Sequence, residues 1–395
     1  MKIVIYYEQI GYGGVDTQLA HLVNSWPSND DHFTIVSNPD NEGLVFLKQL
    51  LCNPEVSIRT LDGVFERTVD GASILVRVLA YLKIQLRFVR AFKKLLKEIS
   101  PDIMLSNNGG YPGGITNWWA AIIGKQRERM RNSTFLLVHH APTSKMSYLF
   151  AVYAGLLVRW VQYLGVPSIT VSQASKSMLE AYTPLKKLHV IYNGVELKEC
   201  ISDPYDFKSE WSITEEKFLI GIIGPLDPHK GHATMLEVFR HSSYLQKKAL
   251  LVIVGTGKEQ LVAELKNRVC SYGLEAAIIF TGFLPGDSQR IIAGLDLLVM
   301  PTIDFEGFGY SFVEAMSVGI PVIASHVGAI PEIIENDVSG FLLEPNNVQG
   351  WCSRLEHLMD NEDERKRIGI GGQKKIEDEF SAKKMSQSYF EYFYK

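Results

Sequence analysis

A strand, a glycine-rich loop and a helix follow one another in the stretch Pro301-Thr302-Ile303-Asp304-Phe305-Glu306-Gly307-Phe308-Gly309-Tyr310-Ser311-Phe312-Val313-Glu314-Ala315-Met316. The helix begins near Tyr310 and stops at Gly319-Ile320-Pro321. Glycines let a ligand approach the backbone, and the first helical amides attract an anion such as phosphate. Glu306 in the loop and Glu314 one turn into the helix could both accept hydroxyl hydrogen bonds from a sugar or a ribose. Neither carboxylate needs to carry a proton for that role.

Short β-branched runs alternate with longer amphipathic segments along the chain, a pattern typical of parallel sheets built from βαβ units. Two sets of about six predicted strands, one per half, indicate two doubly wound α/β domains rather than one barrel. The polar stretch 195–215 between the sets predicts a linker. The predicted strands are Lys2–Tyr7, Phe33–Ser37, Ile103–Ser106, Thr134–His140, Ser168–Ser172 and Leu188–Asn193, then Phe218–Gly224, Leu250–Gly255, Ile278–Gly282, Leu297–Pro301, Pro321–Ser325 and Phe341–Glu344.

The composition favours a folded protein of two domains and excludes several classes. The 395 residues are 46% hydrophobic and 21% charged, which is the balance of a chain with a large core. A formal net charge of -4 argues against a nucleic-acid binder with a basic surface throughout. The charge is divided unevenly, since residues 1–198 carry +6 and residues 199–395 carry -10. The four cysteines lie far apart and indicate neither a zinc site nor a disulfide framework.

The sequence favours a cytoplasmic protein, and peripheral binding at the inner face of the membrane is one of two interpretations of its basic segment. The N-terminus lacks the long apolar run of a signal peptide, and Ala151–Val171, the best candidate for a membrane span, contains Arg159. Residues 72–99 alternate basic and apolar side chains at helical spacing. This pattern predicts either a helix that lies on an anionic membrane surface or an ordinary surface helix, and the two interpretations have equal weight.

Several motifs together resemble retaining glycosyltransferases of family 4, which have the GT-B fold. They are the Glu306 to Glu314 spacing with Gly-Phe-Gly between and Glu-Ala-Met after, Gly224–Gly231, Leu251–Gly257, Phe280–Leu284, Pro321–Ser325, Gly328–Glu332, Gly340–Leu343 and Ile191–Val195. The resemblance implies two Rossmann-like doubly wound domains facing a central cleft. It further implies an acceptor-binding domain at 1–199, a nucleotide-sugar-binding domain at 200–378, and a C-terminal helix at 379–395 that returns to the first domain.

In the second half, the resemblance implies that Glu306 contacts the transferred sugar, Glu314 the ribose and Lys230 the donor diphosphate. Glu306 and Lys230 are then catalytic residues. The family usually has arginine where this chain has Pro225, so one of two expected phosphate-binding cations is missing. The remaining donor-binding positions implied by the resemblance are Gly255, Gly282, Phe283, Leu284, Phe308, Gly309, Tyr310 and Ser311.

In the first half, Gly13 and Gly14 resemble the family's Gly-Gly loop, whose amides approach the donor phosphate and the acceptor. The resemblance also implies a catalytic histidine at the end of a strand; we assign it to His140, with His139 as the alternative. Candidate acceptor contacts are Asp16, His139 and Asn108. A buried structural histidine, a helix-capping aspartate and a plain connecting loop remain the alternative interpretations of these positions.

The resemblance thus implies a hexosyltransferase that moves a sugar from a UDP- or GDP-sugar to a hydroxyl of a glycan or lipid-linked acceptor, as in bacterial surface-polysaccharide assembly. No cofactor and no nucleic-acid partner are expected. The absence of an Asp-x-Asp sequence predicts that the enzyme needs no metal. The alternatives are an epimerase or hydrolase of the same fold, and a sugar-nucleotide-binding protein without turnover. A dinucleotide oxidoreductase is disfavoured because the first loop lacks Gly-x-Gly-x-x-Gly.

Overall fold

A computed structural model of the chain describes residues 1–9, 11, 13–65, 74–111, 113–127, 134–139, 148–198, 201–213 and 216–395. The chain forms two compact units. The first combines Met1–Gly194 with Ala382–Lys395, and the second is Val195–Ser381. The chain therefore changes unit at 194/195 and again at 381/382, where the sequence predicts 199/200 and 378/379.

The first unit is built on a seven-stranded parallel sheet with the order β3-β2-β1-β4-β5-β6-β7. Its helices cover both faces of the sheet, so the central strands are buried from end to end. The strands are β1 Lys2–Tyr7, β2 His32–Ser37, β3 Val56–Thr60, β4 Ile103–Asn108, β5 Thr134–Val138, β6 Ser168–Thr170 and β7 His189–Val190. The helices are α1 Gly14–Asn24, α2 Gly43–Leu50, α3 Ile74–Ile99, α4 Ile115–Arg127, α5 Tyr148–Tyr163 and α6 Gln173–Tyr182.

The second unit is built on a six-stranded parallel sheet with the order β10-β9-β8-β11-β12-β13. Its strands are β8 Phe218–Ile223, β9 Ala249–Val254, β10 Ile278–Gly282, β11 Leu297–Met300, β12 Val322–Ser325 and β13 Phe341–Leu343. Its helices are α7 Phe207–Glu210, α8 His232–His241, α9 Ser243–Lys248, α10 Glu259–Tyr272, α11 Ser288–Ile292, α12 Tyr310–Ser317, α13 Ile330–Ile333, α14 Val348–Asp360 and α15 Glu362–Glu379, with a 3-10 turn at Pro228–Lys230.

The predicted class, two doubly wound α/β domains, is confirmed by these two sheets. All six predicted strands of the second half are present, with ends that differ by one residue or less. In the first half, β3 is absent from the predicted set. Its side chains alternate between half-buried and exposed because it lies at the sheet edge, and Ser57 and Arg59 break the apolar run by which strands are recognised in a sequence.

The C-terminal helix α16, Ala382–Tyr394, belongs to the first unit. It packs against α1, and the Ser386 hydroxyl donates a hydrogen bond to the Leu22 carbonyl at 2.8 Å. The Phe393 ring stacks on Phe135 with 4.5 Å between centroids. The first unit thus contains both ends of the described chain, and the second unit lies between them in sequence.

Each sheet has a point where the strand order reverses, and ligands of doubly wound folds bind at the carboxyl ends of the strands there. In the first unit this point lies between β1 and β4, and in the second between β8 and β11. The loops that leave these four strands carry most of the candidate site residues. Among the described helices, none has both the length and the hydrophobicity needed to cross a bilayer.

Candidate functional site

Lys230 and Glu306 form an ion pair at the reversal point of the second sheet. The Lys230 ammonium donates to Glu306 Oε2 at 2.6 Å, and the two side chains are 18% and 12% exposed. Lys230 follows β8 and Glu306 follows β11, so two neighbouring strand ends supply the pair. A charge-assisted hydrogen bond shielded from water is strong, and it holds both side chains in a defined position.

A tight turn fixes the backbone that carries Lys230. Asp227 caps the 3-10 turn, and its carboxylate accepts from the His229 backbone N–H at 3.2 Å and contacts His229 Nδ1 at 2.6 Å. The His229 carbonyl accepts from the Ile303 N–H at 2.8 Å, which joins the loop after β8 to the loop after β11. Gly231 then starts α8 with φ 75°, a conformation that favours glycine.

The loop after β12 holds Glu306 from behind. The Ala329 N–H donates to the Glu306 carbonyl at 2.8 Å. Gly328 lies so close that a Cβ atom there would be 2.3 Å from the same carbonyl oxygen. On the other side, a Cβ at Gly309 would be 3.1 Å from Glu306 Cγ. Gly328 and Gly309 therefore leave space for the Glu306 loop, and Gly309 also leaves the first amides of α12 accessible.

Three adjacent strands of the second sheet end in glycines with positive φ, at Gly224, Gly255 and Gly282, with φ values of 144°, 140° and 73°. The Gly224 N–H donates to the Val254 carbonyl at 3.0 Å, and the Gly255 N–H donates to the Gly282 carbonyl at 2.9 Å. A Cβ at Gly255 would be 1.9 Å from the Gly224 oxygen. These contacts bring the backbones that follow β8, β9 and β10 close together at the carboxyl edge of the sheet.

The predicted donor residues that follow β10 stand at the end of this edge. Phe283 is exposed and Leu284 is half-buried. Within the described part of the chain, no atom lies within 4 Å of a Cβ placed on Gly282, so the backbone there is open on that side. An exposed aromatic ring beside open backbone is suited to stacking on a planar base. The assignment of these three residues to donor binding stays a prediction.

Glu314 lies one turn into α12 and is buried, with 6% exposure. The Ser288 hydroxyl, at the start of α11, donates to Glu314 Oε1 at 2.8 Å. Burial raises the pKa of Glu314 to about 7, and the charge of Asp287 adds to this, whereas the Ser288 hydrogen bond and Lys198 oppose it. The carboxyl therefore carries a proton over part of the neutral range, a property that the sequence alone does not predict.

We expect Glu314→Gln to change how stability depends on pH. A carboxyl whose pKa is higher in the folded than in the unfolded protein binds more protons in the folded state. Its contribution to the free energy of unfolding is therefore complete below about pH 4.5 and is lost as the pH rises through about 7. This loss is about 3 kcal/mol. Glutamine keeps an acceptor for Ser288 and does not titrate. Urea unfolding should therefore show that the free energy of unfolding of the variant, relative to that of wild type, rises by about that amount between pH 4.5 and pH 7.5.

Other buried groups of the described residues also titrate in this range, which is why the comparison with wild type is needed. Burial raises the pKa of Asp16 to about 6 and lowers the pKa of His232 to about 4. Both are present in each protein, so their contributions cancel in the difference. Ser288→Ala removes a hydrogen bond that favours the charged carboxyl, so the pKa of Glu314 should rise further. The loss of stability should then extend to higher pH. A difference between Glu314→Gln and wild type that is the same at all pH values would contradict the burial argument.

The remaining predicted donor positions lie around the start of α12. Gly309 caps the helix with φ 88°, and Tyr310 and Ser311 are its first two residues, whose amides point out of the helix start. Phe308 is buried, with its ring 5.2 Å from Tyr310 and 6.3 Å from Phe380. The Phe308 side chain is thus part of the core, and only its backbone could belong to a ligand site.

In the first unit, Asp16 holds the loop after β1 in place. The buried carboxylate accepts from the Gly13 N–H at 2.9 Å, from Gln9 Nε2 at 3.0 Å and from the Tyr7 hydroxyl at 3.1 Å. Gly13 and Gly14 thereby begin α1 in an ordered turn. With three internal hydrogen bonds, Asp16 fits the capping interpretation, and its contact with an acceptor stays a prediction.

His139 is buried at the end of β5 and is linked to the reversal point. Its Nε2 contacts Asn107 Oδ1 at 2.8 Å, and Asn107 Nδ2 donates to Gln18 Oε1 on α1 at 3.0 Å. The neighbouring Asn108 is buried, and its carbonyl accepts from the His139 N–H at 3.1 Å. The structure thus joins His139, Asn107 and the α1 start, although Asn107 and Gln18 are not among the predicted residues. The first choice for the catalytic histidine, His140, lies outside the described residues.

Over the described part of the chain, no group of three or more His, Cys, Asp or Glu side chains is arranged to hold a metal ion. At the second-unit site, positive charge comes from Lys230 and from the start of α12 at Tyr310.

Comparison with known proteins identifies both halves. Residues 12–199 match the description Glycosyltransferase Family 4, and residues 205–375 match Glycosyl transferases group 1. A solved structure of Anabaena Alr3699/HepE in complex with UDP-glucose has the same fold, with a TM-score of 0.75, 20% identity and 99% of each chain covered.

Two curated relatives match over parts of their length. The amylovoran biosynthesis glycosyltransferase AmsK of Erwinia amylovora is 27% identical over 50% of this chain and 48% of its own. The UDP-Gal:alpha-D-GlcNAc-diphosphoundecaprenol alpha-1,3-galactosyltransferase of Escherichia coli is 27% identical over 46% of this chain and 48% of its own. The matched region thus spans about half the length of these relatives. The two tandem family matches and the shared fold show that the chain belongs to the family 4 glycosyltransferases of the GT-B fold.

Proposed function

We propose that this chain is a retaining glycosyltransferase that moves a sugar from a UDP- or GDP-sugar to a hydroxyl of a glycan or lipid-linked acceptor. The observation that supports it most is the Lys230–Glu306 ion pair at the reversal point of the second sheet. A cation for the diphosphate and a carboxylate for the sugar stand side by side there. Family membership supports the reaction type.

The ion pair gives the donor a place to bind by exchange. A diphosphate offers Lys230 a more highly charged partner than one carboxylate, so the ammonium would turn from Glu306 to the phosphate oxygens. Glu306 would then be free to accept hydrogen bonds from the sugar hydroxyls. Glu314 lies one turn into α12. Its carboxyl could accept a hydrogen bond from a ribose hydroxyl in place of the one that Ser288 donates.

The chemistry then depends on stabilising the leaving group. As the bond between the anomeric carbon and the diphosphate breaks, its electron pair moves to the phosphate oxygen and the sugar develops oxocarbenium character. Lys230 and the amide end of α12 would stabilise the added charge on phosphate. Because these groups already supply positive charge, the proposal includes no metal ion. Retention of configuration is implied by the family.

Two observations support the proposed acceptor: the residues at the edge of the first sheet and the names of the relatives. Asn108 and the Gly13 loop lie at the reversal point of its sheet, and His139 follows the next strand, β5, and contacts Asn107 of β4. A second ligand could bind there. The Escherichia coli relative is named for a diphosphoundecaprenol-linked sugar, and the Erwinia relative for biosynthesis of the polysaccharide amylovoran. A lipid-linked acceptor in bacterial surface-polysaccharide assembly would place the enzyme at the inner face of the membrane. We propose peripheral binding there, with the basic helix α3 facing anionic lipid.

We expect one nucleoside diphosphate to stabilise the protein strongly. At 100 times its dissociation constant, a ligand that binds only the folded state adds about 2.7 kcal/mol to stability. The measurement is a thermal-shift screen of UDP, GDP, ADP and their monophosphates, with and without EDTA. A shift for one diphosphate, retained in EDTA and larger than that of its monophosphate, is the expected result. Failure of all the diphosphates to shift the transition would contradict the donor assignment.

Product analysis tests the reaction itself. The protein is incubated with the selected nucleotide sugar and a panel of glycan and lipid-linked acceptors, and products are detected by mass spectrometry. Transfer requires a new acceptor-linked sugar whose anomeric configuration, read by NMR, matches that of the donor. An isomerised donor without acceptor would indicate an epimerase, and free sugar alone a hydrolase.

Pro225 is the observation that favours a binding protein without turnover. It is exposed after β8, at the position where the family resemblance implies a phosphate-binding arginine. If one cation suffices, Pro225→Arg should raise donor affinity and leave transfer intact. Donor binding without any transfer would favour the binding-protein alternative.

A further inference from the structure

The helix α5 presents a row of exposed apolar side chains. Val152, Leu156, Trp160 and Tyr163 are 44%, 58%, 38% and 87% exposed, and their spacing of four, four and three residues places them on one face. The opposite face packs into the core of the first unit. The sixteen residues of α5 contain no acidic side chain. A contiguous apolar row of this kind usually marks an interaction surface.

The helix α3 presents a second set of exposed apolar side chains and adds charge. Leu79, Leu82 and Leu86 are 57%, 46% and 59% exposed. Further along the same face, Arg90, Lys93, Lys94 and Lys97 are exposed. The sequence of α3 contains seven Lys and Arg residues and a single acid, Glu98. The helix is therefore apolar at one end of its exposed face and basic at the other.

Ring contacts bring the apolar end of α3 against α5. Tyr81 lies 6.2 Å from Phe150 and 6.1 Å from Tyr153 between ring centroids. From α4, Trp119 packs on Trp160 at 5.7 Å and donates to the Tyr153 hydroxyl at 3.0 Å. We call the exposed apolar side chains of both helices, with the basic end of α3, the α3–α5 surface.

We propose that the α3–α5 surface is the membrane-binding surface of the protein, and that the apolar row of α5 inserts between the headgroups of an anionic bilayer. This deepens the proposed function, on which it rests, by naming the element that holds the enzyme beside a lipid-linked acceptor. Leucine side chains partition into the acyl boundary, and Trp160 and Tyr163 suit the interface, where one end of a ring is apolar and the other wet. The cations of α3 would lie over the lipid phosphates.

Charge decides between a bilayer and a second copy of the chain. A twofold dimer through this surface would bring its own basic rows near one another, because each copy presents the same patch. With seven cations and one acid on α3, that arrangement is repulsive. An anionic bilayer supplies the opposite charge and an apolar interior together, and therefore fits both parts of the surface.

The test measures binding of the full chain to vesicles by co-sedimentation, without donor or acceptor. We expect binding to phosphatidylglycerol vesicles and much weaker binding to phosphatidylcholine. Leu156→Ser with Tyr163→Ser should weaken binding at least about tenfold. The matched control is Ile370→Ser with Tyr182→Ser, which are 68% and 76% exposed on other helices and should have no effect. Replacing Lys93, Lys94 and Lys97 by Gln should weaken binding roughly a hundredfold and reduce its salt dependence.

Circular dichroism and thermal unfolding of each variant establish that it is folded. The proposal is wrong if wild type does not bind anionic vesicles, or if the α5 variant and its control bind equally. It is also wrong if wild type is a dimer in solution that the α5 variant dissociates, since the surface would then bind a second copy. Transfer to a soluble acceptor tests the proposed function separately, and the α5 variant should retain it.

Discussion

Lys230→Met should reduce kcat/KM for transfer by about a thousandfold, the size of effect seen when a preorganised charge stabiliser is removed. It should also weaken binding of the nucleoside diphosphate by roughly tenfold to a hundredfold, because a charge-assisted hydrogen bond is lost. The variant leaves Glu306 without its 2.6 Å partner in a largely buried site. An uncompensated carboxylate would then repel the incoming diphosphate, which adds to the loss.

Glu306→Gln should separate binding from transfer. In the wild-type protein the carboxylate competes with the donor for Lys230, so its removal frees the ammonium for the diphosphate. We expect diphosphate affinity to stay equal or to rise, whereas transfer falls by about a thousandfold because the sugar contact is lost. A loss of diphosphate affinity in Lys230→Met, without any loss in Glu306→Gln, identifies the exchange mechanism.

Calorimetry of diphosphate binding and initial rates of transfer measure both effects. Lys258→Met is the matched control, since Lys258 is exposed before α10 in the same unit. It should change neither quantity. Equal loss of diphosphate affinity in Glu306→Gln and Lys230→Met would mean that the pair is a structural ion pair, and the assignment of Lys230 to the diphosphate would fail.

Much of this site could be predicted because parallel strands end at one edge. Lys230 and Glu306 are 76 residues apart, yet each follows a strand by a short loop, so the sequence already assigns both to the same edge. Glycines after strands marked the ligand-facing backbone in the same way. The roles of the two residues came only from the family resemblance, because spacing alone does not distinguish a phosphate contact from a surface ion pair.

What could not be predicted depends on how side chains pack. The raised pKa of Glu314 follows from its burial, and its partner Ser288 lies on α11, a helix whose position no periodicity determines. Phe308 resembles a loop residue beside two glycines, but its ring belongs to the core. Asn107 is the last but one residue of a buried strand, and only the fold shows that it contacts His139.

Gly231→Ala should destabilise the second unit by about 4 kcal/mol, from two causes that can be separated. The first is backbone strain, because Gly231 has φ 75°. The second is a clash, because a Cβ atom would lie 1.7 Å from the Pro301 carbonyl oxygen. That oxygen belongs to the backbone at the end of β11 and cannot move without displacing the Glu306 loop.

Gly273 provides the matched control, since it has φ 66° and, among the described residues, no atom within 4 Å of the position that a Cβ would take. Gly273→Ala should cost only about 1 kcal/mol, the strain alone. Asparagine tolerates positive φ, so Gly273→Asn should be close to neutral, whereas Gly231→Asn keeps the clash and should still cost about 3 kcal/mol. Urea unfolding measures all four variants. Equal costs at the two positions would show that the β8 and β11 loops are not in contact, and the site that joins Lys230 to Glu306 would lose its support.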